Sequence, residues 1–193
     1  MKVASTHTYA APPDAVFAMM TTPAVLAEKY TALGHTGIQI LDHTITKTAV
    51  AVRSRRTVPM EVPGFAKRFL SPTNSVEQHD RWAAPEADGT RTGTWEVDAR
   101  GVPVTAGGTL RLAPGPHGTT VVEIAGEVKS SVPLLGGKLA SFVGADVERT
   151  LHAEEAFNDG YLAAAATPPK RKVATPKAKT PSAKTPSAKT PQA

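Results

Sequence analysis

Apolar and polar positions alternate from Val3 to Ala10, with Val3, Ser5, His7 and Tyr9 on one side, which predicts a first strand over residues 3–10. Pro12-Pro13-Asp14 comes next. Proline suits the first turn of a helix and an acid there complements the helix dipole, so a helix is expected here with Val16, Phe17 and Met20 turned inward. Thr22-Pro23 ends it and begins a second, with Leu26, Tyr30 and Leu33 on one face and Gly34 as its stop. Beyond Gly34 the period changes to two. Strands are predicted at about 36–43, 47–58, 73–83, 91–99, 103–112 and 118–129, separated by turn signals such as Asp88-Gly89, Arg100-Gly101 and Pro114-Gly115-Pro116. Residues 63–70 fit a short helix or a long loop.

A last helix follows Pro133 and runs to about Ala166. On a helical wheel, Leu135, Leu139, Phe142, Val143, Val147, Ala153, Phe157 and Tyr161 form one broad stripe. Lys138, Ser141, Glu148, His152, Glu155 and Asp159 fall opposite. Asp146, Thr150 and Glu154, spaced i, i+4, i+8, lie inside the apolar stripe. A carboxylate in a packed interface is costly unless it is paired or wet, so this helix is expected to cover something polar or hydrated.

Consecutive strands with short turns imply an antiparallel meander, and the class is α+β: one strand, two short helices, six strands and a long C-terminal helix. Such a sheet can curl around the helix and leave a cavity between them. Two stretches carry a family likeness: Ala11-Pro12-Pro13-Asp14-Ala15-Val16-Phe17 after the first strand, and Val132-Pro133-Leu134-Leu135-Gly136-Gly137-Lys138-Leu139 leading into a helix with Glu154-Glu155. With the element order, they make residues 1–166 resemble the helix-grip fold of the START, polyketide-cyclase and plant-pollen-allergen superfamily, and most of all a bacterial branch of it, a domain of unknown function. The resemblance implies a curved antiparallel sheet wrapped on the long helix. It also implies a hydrophobic cavity for a lipid, sterol, isoprenoid or aromatic polyketide. It implies no particular reaction, because one fold hosts carriers, cyclases and sensors.

The chain has no cysteine, which excludes disulfides, thiolate metal sites and Cys nucleophiles. No apolar run is long enough to span a bilayer, and the N-terminus lacks the apolar centre of a signal peptide, so a cytoplasmic location is expected. None of the six histidines forms His-x-x-x-His, and Glu148 with His152 reads as a solvated helix-face pair, so no metal is expected. There is no Gly-x-Ser-x-Gly, and Gly107-Gly108 sits within a strand pattern, where glycine marks a bulge or close packing rather than a phosphate loop. No catalytic residue and no cofactor are assigned.

The expected ligand contacts are Leu139, Phe142, Val143, Asp146, Thr150 and Phe157 from the helix, with Trp82 and Trp95 from adjacent strands. Asp146, Thr150 and Glu154 could orient a ligand or supply a general acid or base, or they could pair with sheet arginines such as Arg53, Arg55 or Arg81. Arg53 and Arg55 share a strand face and Arg56 takes the other. The leading expectation is a binding module of about 300 to 1,000 Å³ for a small hydrophobic ligand. An enzyme of cyclase or hydratase type on the same scaffold is the alternative.

Charge adds a second element. Thr167 to Ala193 holds Lys170, Arg171, Lys172, Lys177, Lys179, Lys184 and Lys189 with no acid, and repeats as Thr-Pro-x-Ala-Lys. Without it, 15 of the 22 Lys and Arg remain against all 17 Asp and Glu, a net of −2. Its composition predicts a disordered arm similar to linker-histone tails, and hence non-specific nucleic-acid binding through phosphate contacts. A nucleoid-associated protein that works through this arm is therefore a further alternative; a solubilising spacer and an anionic membrane contact use the same charges.

Overall fold

The structure is a computed structural model and describes residues 1–166. The chain forms β1 (Lys2–Tyr9), α1 (Pro13–Thr21), α2 (Pro23–Ala32), β2 (Thr36–Ile45), β3 (Ala49–Pro59), β4 (Thr73–Ala83), β5 (Arg91–Ala99), β6 (Val104–Pro114), β7 (Thr120–Ser130) and α3 (Gly136–Ala166). The seven strands make one antiparallel sheet in the order β1-β7-β6-β5-β4-β3-β2. Five hairpins in succession build six strands, and β1 closes on the last of them. The two short helices therefore carry the chain from one edge of the sheet to the other. The segment at 63–70 contains a single 3₁₀ turn, Gly64–Ala66.

Each helix start follows from local chemistry. Pro13 and Pro23 occupy first-turn positions where the missing N–H is not needed. The α1–α2 junction is a sharp corner because Thr22 is both the C-cap of one helix and the N-cap of the next, in extended conformation. α3 begins at Gly136, two residues past the exposed Leu134, whose φ of 60° ends the preceding loop.

α3 packs across β7 and β1 and meets α1 and α2. The inner face of the sheet follows strand parity: Val3 and Tyr9 on β1, Trp95 on β5, Val104, Leu110 and Leu112 on β6, and Val122 and Val128 on β7 are all buried, and Ala113 at the end of β6 is buried out of step. These join Val16, Met19 and Leu139 in one core. A smaller cluster of Leu26, Tyr30 and Val52, flanked by Ile38 and Ile40, seals the end where α2 packs on β2 and reaches β3. Full burial of such side chains stabilises by roughly 1.5–3 kcal/mol each, which makes this inner face the main support of the fold.

Candidate ligand cavity

Between α3 and the inner face of the sheet lies a cavity of about 170 Å³. It is smaller than expected, since the indoles of Trp82 and Trp95 occupy its walls and both residues are almost wholly buried. Trp82 meets the Phe17 ring edge-on at 5.7 Å, and Trp95 donates its Nε1–H to the Ala125 carbonyl at 3.3 Å. One end of the cavity is apolar, with Val97 and Val104 from the sheet, Val102 from the turn between β5 and β6, and Val143 and Val147 from the helix. The other end is polar and brings together Lys29, His35, Arg56, Gln78, Asp80 and Glu154.

The polar end is a network. Lys29 Nζ donates to Glu154 at 2.5 Å, joining α2 to α3 across the cavity. Burial opposes the charge on both. Their mutual attraction outweighs it, so the ammonium is held above its usual range and the carboxyl below it. Arg56 Nη2 donates to the Gln78 carbonyl oxygen at 2.7 Å, and the Gln78 amide donates to both Asp80 oxygens at 3.0 Å. Burial pushes the Asp80 carboxyl up. The Arg56 guanidinium lies 4.0 Å over the Tyr30 ring, and His35 stacks on that ring at 5.8 Å. Burial, with Arg56 nearby, lowers His35 to about 4, so the ring is neutral at pH 7. Among the described residues, Arg56 Nε and His35 Nδ1 are buried without a hydrogen-bond partner.

Of the eight expected contacts, Trp82, Trp95, Val143, Asp146 and Thr150 line the cavity. Leu139, Phe142 and Phe157 do not, because the cavity underlies only the middle turns of α3, from Val143 to Glu154. Leu139 is fully buried in the core, Phe142 turns toward Phe65, edge-on at 6.3 Å, and Phe157 stacks on Tyr161 at 6.2 Å. The wheel reading also errs in phase at its C-terminal half: Ala153 is exposed, whereas Glu155 is drawn in by Ser5 and His152, both hydrogen-bonded to it.

The expected pairing of helix carboxylates with Arg53, Arg55 or Arg81 is not what forms. Asp146 pairs with Arg149 on its own helix at 2.6 Å, and the Thr150 hydroxyl donates to the Asp146 carbonyl at 3.0 Å. Arg53 and Arg55 point to the outer face and share Glu77. His152 pairs with Glu155 at 3.1 Å instead of Glu148, and no group of three or more metal-ligating side chains occurs among the described residues. Gly108 faces Gly126 across β6 and β7, a close-packed pair under Trp95 and no phosphate loop.

Sequence reasoning missed Lys29, His35, Gln78 and Asp80, and left Arg56 unassigned. For three of them a signal existed. Counting in twos from buried Val52 gives Ser54 and Arg56, and counting back from Trp82 gives Asp80 and Gln78. The cations expected to bind nucleic acid, Lys170, Arg171, Lys172, Lys177, Lys179, Lys184 and Lys189, lie outside the described residues.

A curled antiparallel sheet closed over one long helix, with a cavity between, makes this a helix-grip protein. The chain belongs to the family described as Protein of unknown function (DUF2505), whose family model matches residues 4–162. Its fold is shared by TTHA0849 from Thermus thermophilus, at 14% identity and a TM-score of 0.61 over 86% of this chain and 100% of that one. The Zhui aromatase/cyclase from Streptomyces sp. R1128 is similar at 18% identity and a TM-score of 0.56, over 83% of this chain and 92% of that one. Human STARD10 is similar at 9% identity and a TM-score of 0.56, over 84% of this chain and 64% of that one. At such identities the likeness is one of fold. No curated protein matches the chain at a significant level. No described helix is long and apolar enough to cross a membrane.

Proposed function

We propose that this protein binds a small ligand with an apolar body and one polar end in the cavity beneath α3. The observation that carries the reading is the make-up of the lining: valines and tryptophans beside a buried charged network with unpartnered polar atoms. A packing defect in a core has no reason to gather two cations and two carboxylates; a binding site does, because a few placed polar groups in an apolar pocket fix a ligand's orientation. The helix-grip fold supports the same reading as an analogy.

The volume limits the guest. An apolar cavity of about 150 Å³ holds a benzene-sized molecule, so about 170 Å³ suits one ring rather than a sterol. The test is a titration with indole or toluene, followed by NMR of the two tryptophan side-chain N–H signals. Saturable shifts at Trp95, lost when Val147→Phe fills the space, are expected. Absence of any saturable shift, with the wild-type fold intact, would count against ligand binding.

A further inference from the structure

The chemistry of the cavity's polar end narrows the ligand class further, on the premise that the cavity is a binding site. We propose that it takes a compact monocarboxylate, one ring in size, with its carboxylate on Arg56 and His35 and its body among the valines under α3.

At the polar end only Lys29 and Glu154 form a direct ion pair; Arg56 and Asp80 share Gln78 between them. Lys29 has Glu154 at 2.5 Å. Asp80 has the Gln78 amide on both oxygens. Arg56 is 5% exposed, yet it has no carboxylate partner among the described residues. Its contacts are neutral: the Gln78 oxygen at 2.7 Å, the Ser54 hydroxyl at 3.4 Å and the Tyr30 ring face. Gln78 separates it from Asp80 by turning its oxygen to the guanidinium and its amide to the carboxylate. A buried guanidinium without an anion is costly, and its planar fork matches a carboxylate better than any other common group. The Nε–H left without a partner belongs to this same side chain, which lines the cavity.

His35 supplies the second contact. It is 7% exposed, lines the cavity, and has Nδ1 without a partner. Its neutral ring can place an N–H there, a second unpartnered donor on the same Tyr30 ring that Arg56 covers. With Lys29 paired to Glu154, Arg56 is the cation there without an ion pair, and Asp80 stands beyond Gln78, so the site has room for at most one further negative charge, which suits a monoanion and disfavours a phosphate dianion.

The test compares benzoate with benzamide, an isostere without the charge, by calorimetry or NMR on the full-length protein at pH 7. Benzoate is expected to bind about 10- to 100-fold more tightly, the range for a charge-assisted hydrogen bond over a neutral one. Arg56→Met should remove that preference and leave benzamide binding in place, and Arg56→Lys should keep part of it. Equal affinity for the two probes on the wild-type protein overturns the proposal and needs no variant to do so. If indole or toluene binds but neither benzoate nor benzamide does, the carboxylate is wrong while the cavity reading stands. If none binds, both fall.

Discussion

β3 carries three arginines within four positions, and its two faces treat them in opposite ways. On the outer face Arg53 and Arg55 converge on Glu77, with Arg55 Nη2 at 2.9 Å, in contact with solvent. Hydrogen bonds from Arg55 and then Arg53 hold the Glu77 carboxyl below the usual range. One residue on, Arg56 turns inward and finds only neutral partners. The outer trio has water as an alternative partner, so its pairing adds little; the inner charge has no such alternative, so each contact it lacks matters. Strand parity alone assigns the roles.

Breaking the inner network at its one direct ion pair should have the largest effect. Glu154→Gln leaves the Lys29 ammonium buried without a counter-charge, which should cost about 3–5 kcal/mol in urea unfolding, and the double change Lys29→Met with Glu154→Leu should recover most of it. The next effect is on acid stability. His35 is lowered from 6.5 to about 4 in the folded chain, so between those values the unfolded chain takes up a proton that the folded one refuses. Stability should therefore fall as pH drops from about 6.5 to 4, by up to about 3 kcal/mol, and His35→Phe should flatten that limb. Asp80 works against the trend, because its raised carboxyl binds a proton more readily when folded, so the difference between wild type and variant is the quantity to read.

Smaller still is Arg56→Met, which removes an unpaired buried charge at similar volume. It should leave the ligand-free protein as stable or about 1 kcal/mol more stable by thermal unfolding. Glu77→Gln on the outer face should have the least effect, and what there is should vanish in high salt. A large loss from Glu77→Gln would erase the distinction between the faces.

Strand and helix positions were readable because alternation and the Pro12-Pro13 and Thr22-Pro23 signals act locally. Glu154 was visible as a polar intruder in an apolar stripe, but its partner was not: Lys29 lies 125 residues away, on a helix face where Leu26 and Tyr30 drew the eye. His35 sits in the turn after Gly34, where no periodicity applies. Asp80 and Gln78 were within reach by parity from Trp82, yet their polarity argued for the outer face. Buried polar residues break the hydrophobic pattern, and that pattern is what sequence reading follows. The limits of the cavity along α3 depend on where Leu139 and Phe157 find neighbours, which is a tertiary matter.

One feature of the sheet sets the capacity of the chamber from beneath. A methyl group added at Gly126 would lie 2.5 Å from the Gly107 carbonyl oxygen and 2.6 Å from Cζ2 of Trp95, so the indole lies this close to β7 only because the position carries no side chain. The size of guest admitted is thus tuned at a position that presents no side chain. A one-carbon addition there would disturb the backbone of β6 as well as the indole, so the room above the floor depends on glycine at this position.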